Sequence, residues 1–161
     1  MSDVRLGLGF DVHPRDEGRP LLVGGVRFEG EPGLGGHSDG DVACHSVASG
    51  LLGAAALGDL GDHFPDTDPA FEGIAGLDLL GRVVALLERK GLTPRAVDLT
   101  VIAERPRIST RREEIRGNLA RALAIRVEEV SVKATRPEGL GLVGDGAACL
   151  ARVTVQPAGK V

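Results

Sequence analysis

The chain has 161 residues, of which 42% are hydrophobic, and we expect a single domain over residues 1–161 with its core at about 4–156. A net charge of −4 and four phenylalanines as the only aromatic residues argue against binding to a nucleic-acid backbone or to stacked bases. Neither a signal segment nor a bilayer-spanning apolar run is visible, and the two cysteines lie far apart. We therefore expect a cytoplasmic protein that binds neither nucleic acid nor membrane.

The first half of the chain is predicted to contain a strand, a hairpin and one long helix. In chain order the elements are a strand at 4–10, a hairpin at 21–28 turning at Gly24–Gly25, a loop at 29–36, and a helix from Gly40 to about Leu57. Either Asp39 or Asp41 lies where the N-terminal cap of this helix is expected. A loop rich in Gly, Pro and Asp follows at 58–73.

The second half alternates helices with strands. Its elements are a helix at 77–90 ended by Gly91, a strand at 97–103, a helix begun by a Thr110–Glu113 capping box, and strands at 130–135 and 149–155. This order predicts an α+β fold in which one mixed sheet carries helices on one face. The other face of such a sheet is uncovered, so we expect an oligomer.

Two separated motifs supply a candidate zinc site. Asp11 and His13 lie two residues apart at the end of the first strand, so their side chains point to the same side. His45, from the first helix, is the expected third ligand. Two imidazoles and one carboxylate suit zinc, and three protein ligands leave a fourth position free for a reactant. The alternative is a strand-end histidine whose ring is held by an aspartate, with no metal. Cys44 is expected to be a buried apolar residue.

The loop at 58–73 contains a cluster of acidic residues: Asp59, Asp62, Asp66 and Asp68. Carboxylates in such a cluster suit either magnesium or the hydroxyl groups of a ribose. A solvated turn has the same composition, and composition alone favours that simpler interpretation. We expect His63, in the same loop, to be solvated rather than to bind a metal.

Taken together, the motifs of this chain resemble the 2-C-methyl-D-erythritol 2,4-cyclodiphosphate synthase family. They agree in order and separation over about residues 5–155, and they are GFDVH, HSDGDVACH followed by LLGAAALGDLGDHFPDTDPAF, AERPR, VSVKAT and EGLGL. The resemblance implies an enzyme of the non-mevalonate isoprenoid route. Such an enzyme converts 4-diphosphocytidyl-2-C-methyl-D-erythritol 2-phosphate into the cyclic 2,4-diphosphate and releases CMP.

The same resemblance implies an architecture and a set of cofactors. Each subunit would have a four-stranded mixed sheet with helices on one face, in a chorismate-mutase-like arrangement. Three subunits would form a homotrimer with active sites between neighbours, each taking a small-molecule nucleotide substrate. Zinc and a second divalent cation, magnesium or manganese, are the implied cofactors.

Residue roles also follow from the resemblance, position by position. Asp11, His13 and His45 would bind zinc, and Glu138 the second cation. His37 would stabilise the transition state, with Ser38 beside it on the substrate phosphates. The other positions implied to contact substrate are Asp11, His13, Asp59, Gly61, Phe64, Asp66, Asp68, Ala103, Pro106, Arg107, Thr135, Arg136, Glu138 and Leu142.

The sequence departs from the family in the run KATRPE, residues 133–138, where relatives read close to KATTTE. Arg136 stands in place of the threonine that helps to stabilise the transition state, and Pro137 has no backbone N–H to offer. We predict that Arg136 binds a phosphate directly as a charged and catalytic substitute. The alternative is that Arg136 points to solvent and the site is weakened.

Two other functions compete with the synthase. A zinc-dependent phosphoester hydrolase would use the open zinc position to activate water, although no candidate base lies beside it in sequence. A non-catalytic zinc- and nucleotide-binding paralogue is suggested by the changes in KATRPE. The intact Asp11, His13 and His45 set favours an active enzyme.

Overall fold

The computed structural model describes residues 3–159 as one mixed sheet packed against helices. The elements are β1 Arg5–Val23, β2 Val26–Leu34, α1 Val42–Ala55, α2 Leu60–His63, α3 Gly76–Arg89, β3 Leu92–Ile102, α4 Arg112–Leu123, β4 Val130–Thr135 and β5 Gly146–Pro157. Single 3-10 turns lie at Pro69–Phe71, Ile108–Thr110 and Val127–Glu129. Within the described residues, every helix is too short or too polar to cross a bilayer.

The sheet has five strands in the order β2-β1-β5-β3-β4, one more than the four expected. It is mixed, as predicted, because β3 and β4 are parallel while the other neighbours are antiparallel. The extra strand arises because β1 changes partner along its length. Residues 5–14 pair with β5, and residues 15–23 pair with β2. The strand predicted at 4–10 and the first arm of the predicted hairpin are therefore one continuous strand.

Close contact between β1 and α1 positions the site. A Cβ atom added at Gly9 would lie 1.8 Å from the carbonyl oxygen of Ser46, and one at Gly7 would lie 1.9 Å from that of Gly50. No side chain fits in either place, so the helix backbone rests directly on the strand. This approach brings the first turns of α1 beside the middle of β1.

The start of α1 is set by Asp41, which is fully buried. Its Oδ1 accepts hydrogen bonds from the backbone N–H groups of Ala43, Cys44 and Gly24, and its Oδ2 accepts one from Gly25. The predicted turn at Gly24–Gly25 is confirmed, with φ of 58° and 70°. Asp41 is thus the cap, and it ties this turn to a helix that begins at Val42, two residues after the expected start.

The predicted capping box at α4 is wrong. Residues Ile108–Thr110 form a 3-10 turn, within which the Thr110 hydroxyl donates to the carbonyl of Arg107. The helix begins at Arg112 without a side-chain cap, and Glu113 pairs with Arg116 instead. The hydroxyl is already engaged in the turn before the helix and so does not cap it. β3 and β5 also begin earlier than predicted, at Leu92 and Gly146.

The helices cover one face of the sheet, as expected, and the other face is apolar and open. Along β1 the side chains of Leu6, Leu8, Phe10 and Val12 alternate with buried positions and are between 49% and 65% exposed. The covered face packs with α1, α3 and α4 into one continuous core built mainly from Val, Leu, Ile and Ala, with Phe28 and both cysteines among its members. Four adjacent large apolar side chains therefore form a surface that a partner would cover.

Candidate active site

Three side chains converge where β1 meets α1. Oδ2 of Asp11 lies 2.9 Å from Nε2 of His13 and 3.1 Å from Nδ1 of His45, and the two histidine nitrogens are 3.4 Å apart. Ligand atoms about 2.0–2.1 Å from a tetrahedral zinc ion lie about 3.3 Å from one another. The three atoms thus have the separation that a small tetrahedral cation requires, and the predicted ligand set is brought together.

A hydrogen bond on the far side of the ring orients His45. Its Nε2 lies 2.9 Å from the Ser38 hydroxyl, while Asp39 Oδ1 is farther away, at 3.8 Å. When Nδ1 offers its lone pair to a cation, the proton lies on Nε2 and is donated to Ser38. Asp39 itself accepts from the N–H groups of Asp41 and Gly76, so it joins the starts of α1 and α3.

The charges in this cluster are coupled. Burial raises the pKa of Asp11, but its hydrogen bonds to His13 and His45 outweigh burial and hold that pKa below its usual range. Burial lowers the pKa of His45, yet the hydrogen bond to Asp11 more than offsets it and raises the pKa. Asp11 is therefore ionised beside two imidazoles. A divalent cation that binds to these three groups displaces protons from the imidazole rings.

A cavity of about 190 Å³ opens beside the three ligands. Of the residues implied to contact substrate it gathers Asp11, His13, His37, Ser38, Phe64 and Asp66. Its apolar wall is made by Leu60, Phe64, Phe71, Ile74 and Leu79. The cavity therefore combines polar side chains beside the three ligands with an apolar wall.

The remaining residues of the acidic loop have structural contacts. Asp59 caps the short helix α2, accepting from Asp62 N–H, and Gly61 lies inside that helix. Asp68 caps the 3-10 turn at Pro69–Phe71. His63 is half-buried and lies outside the three-ligand group, and its Nε2 lies 2.7 Å from the carbonyl oxygen of Leu57. Asp66 is thus the aspartate of this loop that borders the cavity.

A second cavity, of about 390 Å³, lies at the ends of β3 and β4. It is lined by Ala103, Pro106, Arg107, Ile108, Ser109, Arg112, Ala134, Thr135 and Arg136. With the exception of Glu138, all the residues of the AERPR and KATRPE motifs that were predicted to contact the substrate line this cavity. Three of the lining residues are arginines, so this cavity is electropositive in a chain whose net charge is −4.

Besides Asp59, Gly61 and Asp68, two further predicted site residues line neither cavity. Glu138 is exposed, with a φ of 54°, and does not join the three-ligand cluster. Leu142 is 69% exposed. The two cavities have no lining residue in common. One copy of the chain therefore presents a metal-binding cavity and an arginine-lined cavity as separate surfaces.

Sequence reasoning missed part of the apolar wall of the first cavity. Phe71 lies within the acidic loop and Ile74 directly after it, where turn residues hide any periodicity, and Leu79 lies in the predicted helix at 77–90 without having been assigned to a site. Phe71 was detectable as one of only four aromatic residues in the chain. Its ring packs edge-on against Phe64, with centroids 5.3 Å apart, so the two phenylalanines form a single wall.

Residues 4–156 match the model of the YgbB family, and these residues include all three ligands and both cavities. The chain belongs to the YgbB family. A relative from Salinibacter ruber, named 2-C-methyl-D-erythritol 2,4-cyclodiphosphate synthase, is 51% identical over 96% of this chain and 100% of its own length. A relative of the same name from Trichlorobacter lovleyi is 47% identical over 94% of this chain and 97% of its own.

Solved structures of YgbB relatives have the same fold. A 2C-methyl-D-erythritol-2,4-cyclodiphosphate synthase in a form bound to CDP superposes with a TM-score of 0.86 at 32% identity, covering 94% of this chain and 99% of that one. The bifunctional IspDF of Campylobacter jejuni gives a TM-score of 0.92 at 36% identity, covering 98% of this chain. Our chain spans 43% of that bifunctional protein.

Proposed function

We propose that this chain catalyses the reaction for which its relatives are named, the formation of 2-C-methyl-D-erythritol 2,4-cyclodiphosphate. The substrate is 4-diphosphocytidyl-2-C-methyl-D-erythritol 2-phosphate, and CMP is the second product. The observation that carries the proposal is the convergence of Asp11, His13 and His45 beside His37 and Ser38 in a chain whose residues 4–156 match the family model.

The metal-binding residues neutralise charge in this proposal. Asp11, His13 and His45 hold zinc, since two imidazoles and a carboxylate at these separations suit that ion. Bound zinc supplies positive charge to a substrate phosphate. Glu138 binds a second divalent cation, magnesium or manganese, and its exposed carboxylate leaves it accessible to one.

The reaction needs positioning and charge neutralisation more than proton transfer. An oxygen of the 2-phosphate attacks the phosphorus next to the erythritol, and the bond from that phosphorus to the CMP oxygen breaks. Because the nucleophile is already an anion, no general base is required. His37 and Ser38 contact the phosphates, and His37 stabilises the charge that develops on them. Asp66 and Phe64 border the same cavity and contact the erythritol part.

The arginine-lined cavity takes the nucleotide part of the substrate. Relatives of known structure were solved with CDP, including one from Plasmodium falciparum at a TM-score of 0.82 and 32% identity, covering 97% of this chain and 97% of that one. Ala103, Pro106 and Arg107 surround the base, and Thr135 and Arg136 bind phosphate. The free guanidinium of Arg136 replaces a hydroxyl contact with a charged one.

The assembly is a homotrimer in which each active site forms between two subunits. Two observations support it: the metal-binding and arginine-lined cavities share no residue, and the open sheet face carries Leu6, Leu8, Phe10 and Val12. Asp59, Gly61, Asp68 and Leu142 reach the substrate within this assembly. A trimer would bury the apolar face and set one copy's metal centre against another's nucleotide cavity. A cytoplasmic location completes the proposal.

Phosphorus NMR of the products tests the proposed reaction. Incubation with the diphosphocytidyl substrate, zinc and magnesium should give the cyclic diphosphate and CMP. Linear phosphates would instead identify a hydrolase, and no conversion would identify a nucleotide-binding paralogue. His37→Ala is the matched variant, because His37 borders the cavity but is not a metal ligand. It should keep its metal and lose turnover.

A further inference from the structure

Arg15 makes contacts that no feature of the proposed function has used. It lies on β1 two residues after the metal ligand His13, at the point where this strand changes partner from β5 to β2. Its Nη2 donates to the carbonyl of Arg105 at 2.7 Å, and its Nη1 donates to the carbonyl of Pro32 at 3.0 Å. One side chain thus joins the metal-bearing strand, the adjacent hairpin and the segment that begins the nucleotide cavity.

The contacts require a guanidinium group. The side chain of Arg15 is only 8% exposed, and the nearest carboxylate oxygen, on the exposed Asp145, is 4.0 Å away. Burial of a cation without a close anion is costly, and hydrogen bonds from its N–H groups to acceptors offset part of that cost. The planar guanidinium group of Arg15 donates hydrogen bonds to two carbonyl oxygens that lie in different directions. A lysine ammonium group on its flexible side chain would hold these two acceptors less well. The guanidinium group of Arg15 therefore binds the backbone carbonyls of Pro32 and Arg105 rather than forming a close ion pair.

The segment that Arg15 holds leads directly into the nucleotide cavity. Arg105 precedes Pro106 and Arg107, which both line that cavity. A second bond ties the neighbouring loop to this segment, because the Glu104 carboxylate accepts from Gly139 N–H at 2.8 Å. The Arg15 backbone N–H also donates to the carbonyl of Asp145 at 2.9 Å. The 103–107 segment and the 137–145 loop, which follows the cavity residue Arg136, are thus each anchored at or near Arg15.

We propose that Arg15 is a positioning residue for nucleotide binding, which sets the place of the 103–107 segment relative to the strand that carries the metal ligands. This inference rests on the proposed function, since it takes the arginine-lined cavity to bind the cytidine nucleotide. Arg15 itself lines neither the metal-binding cavity nor the arginine-lined cavity. Its removal releases the Arg105 carbonyl and lets the cavity wall move, so nucleotide affinity falls while the three ligands of the metal centre stay in place.

Calorimetric titration with CDP, combined with metal analysis of each protein, tests the proposal. The variants are Arg15→Leu, Arg15→Lys and a matched control, Arg116→Leu. Arg116 also bridges two backbone carbonyls, those of Val127 and Val130 at 2.8 Å each, but it lies on α4 and lines neither site cavity. We expect CDP binding to weaken about tenfold in Arg15→Leu, because one or two hydrogen bonds that position the cavity wall are lost. In Arg15→Lys we expect a smaller loss of affinity.

Metal content per chain should match wild type in all variants, and Arg116→Leu should bind CDP within about twofold of wild type. Wild-type affinity in Arg15→Leu, or an equal loss in Arg116→Leu, would overturn the proposal. If Arg15→Leu does not fold, the CDP affinity of Arg15→Lys tests the proposal, because lysine keeps the aliphatic part of the side chain and its charge. Unchanged CDP affinity in Arg15→Lys would also overturn the proposal. Wild-type protein that binds CDP but forms no cyclic product would contradict the proposed reaction and leave this inference standing.

Discussion

The Ser38 hydroxyl lies 2.9 Å from Nε2 of His45, on the opposite side of the ring from the nitrogen that faces Asp11 and His13. This contact fixes which nitrogen carries the proton, so its loss should weaken metal binding. We expect Ser38→Ala to lower zinc affinity about tenfold, within the range usual for partners of metal-ligating histidines. Competition with a chromogenic chelator measures it.

Ser109→Ala is the control for this change, because Ser109 is exposed and lines the second cavity instead. It should leave zinc affinity unchanged. Equal zinc affinities for Ser38→Ala and wild type would mean that Asp39, 3.8 Å from the same nitrogen, orients the ring without the hydroxyl.

Asp41→Asn should destabilise the fold strongly. In the wild-type chain Oδ2 of Asp41 accepts a hydrogen bond from Gly25 N–H at 2.7 Å, and Oδ1 accepts from three other backbone N–H groups. An asparagine amide replaces one of these oxygens by an NH₂ group, so that two hydrogen-bond donors face each other at that position. We expect a loss of about 2–4 kcal/mol in the free energy of unfolding, measured in urea at one fixed chain concentration. Asp59→Asn, at the exposed cap of the four-residue helix α2, should cost less than about 1 kcal/mol. Similar losses for both would refute the role given to Asp41.

The fold could be predicted from sequence wherever local patterns decide it. Helical spacing located α3 within one residue at each end, and two glycines located the hairpin turn. The length of β1 could not be predicted, because its middle is polar and held extended only by two different partner strands. The fifth strand of the sheet, β2, was predicted as the second arm of the hairpin, so the wrong count of four strands came from the family resemblance and not from this pattern.

The candidate site divides in the same way. Asp11, His13 and His45 were predictable because strand alternation and ligand chemistry restrict the choice. Arg15 was not, because its acceptors are backbone carbonyls in segments 17 and 90 residues away. Backbone acceptors leave no trace in residue identity, so contacts of this kind appear only when the fold is known.

Gly9→Ala should separate α1 from β1. The added methyl group would lie 1.8 Å from the Ser46 carbonyl oxygen, a backbone atom that cannot move without the helix. We expect a loss of about 3 kcal/mol or more in unfolding free energy and weaker zinc binding, since His45 moves with the helix. Gly53→Ala, in the same helix but with open space at its Cβ position, should instead stabilise by about 0.5–1 kcal/mol. A neutral Gly9→Ala would show that the close approach is dispensable.

Stability should fall at alkaline pH because of the two buried thiols. Burial raises the pKa of Cys149 from 9.0 to about 12, and burial also raises the pKa of Cys44. The folded chain keeps these protons where the unfolded chain releases them. The free energy of unfolding is then constant with respect to the thiols below about pH 9. Above about pH 9 it falls by up to about 1.4 kcal/mol per pH unit for each thiol, and for Cys149 this decline continues to about pH 12.

Urea unfolding in a reducing buffer from pH 8 to pH 10.5 measures this decline. The double variant Cys44→Ala/Cys149→Ala should show a shallower slope, because only the remaining groups titrate. Identical slopes would exclude the thiols as the cause.

Arg136→Thr introduces the residue that the family resemblance implies at this position and tests whether the arginine has taken over phosphate binding. Arg136 is exposed on the wall of the second cavity, where its guanidinium can reach an anionic ligand. We expect kcat/KM for the diphosphocytidyl substrate to fall about tenfold or more, because a charge-assisted hydrogen bond is replaced by a neutral one. The backbone at Pro137 has no N–H that could compensate for this loss. Arg126→Thr, which removes an exposed arginine paired with Glu129 away from that cavity, should leave the kinetics unchanged. Unchanged or raised turnover in Arg136→Thr would show that the threonine alone suffices and that the arginine faces solvent.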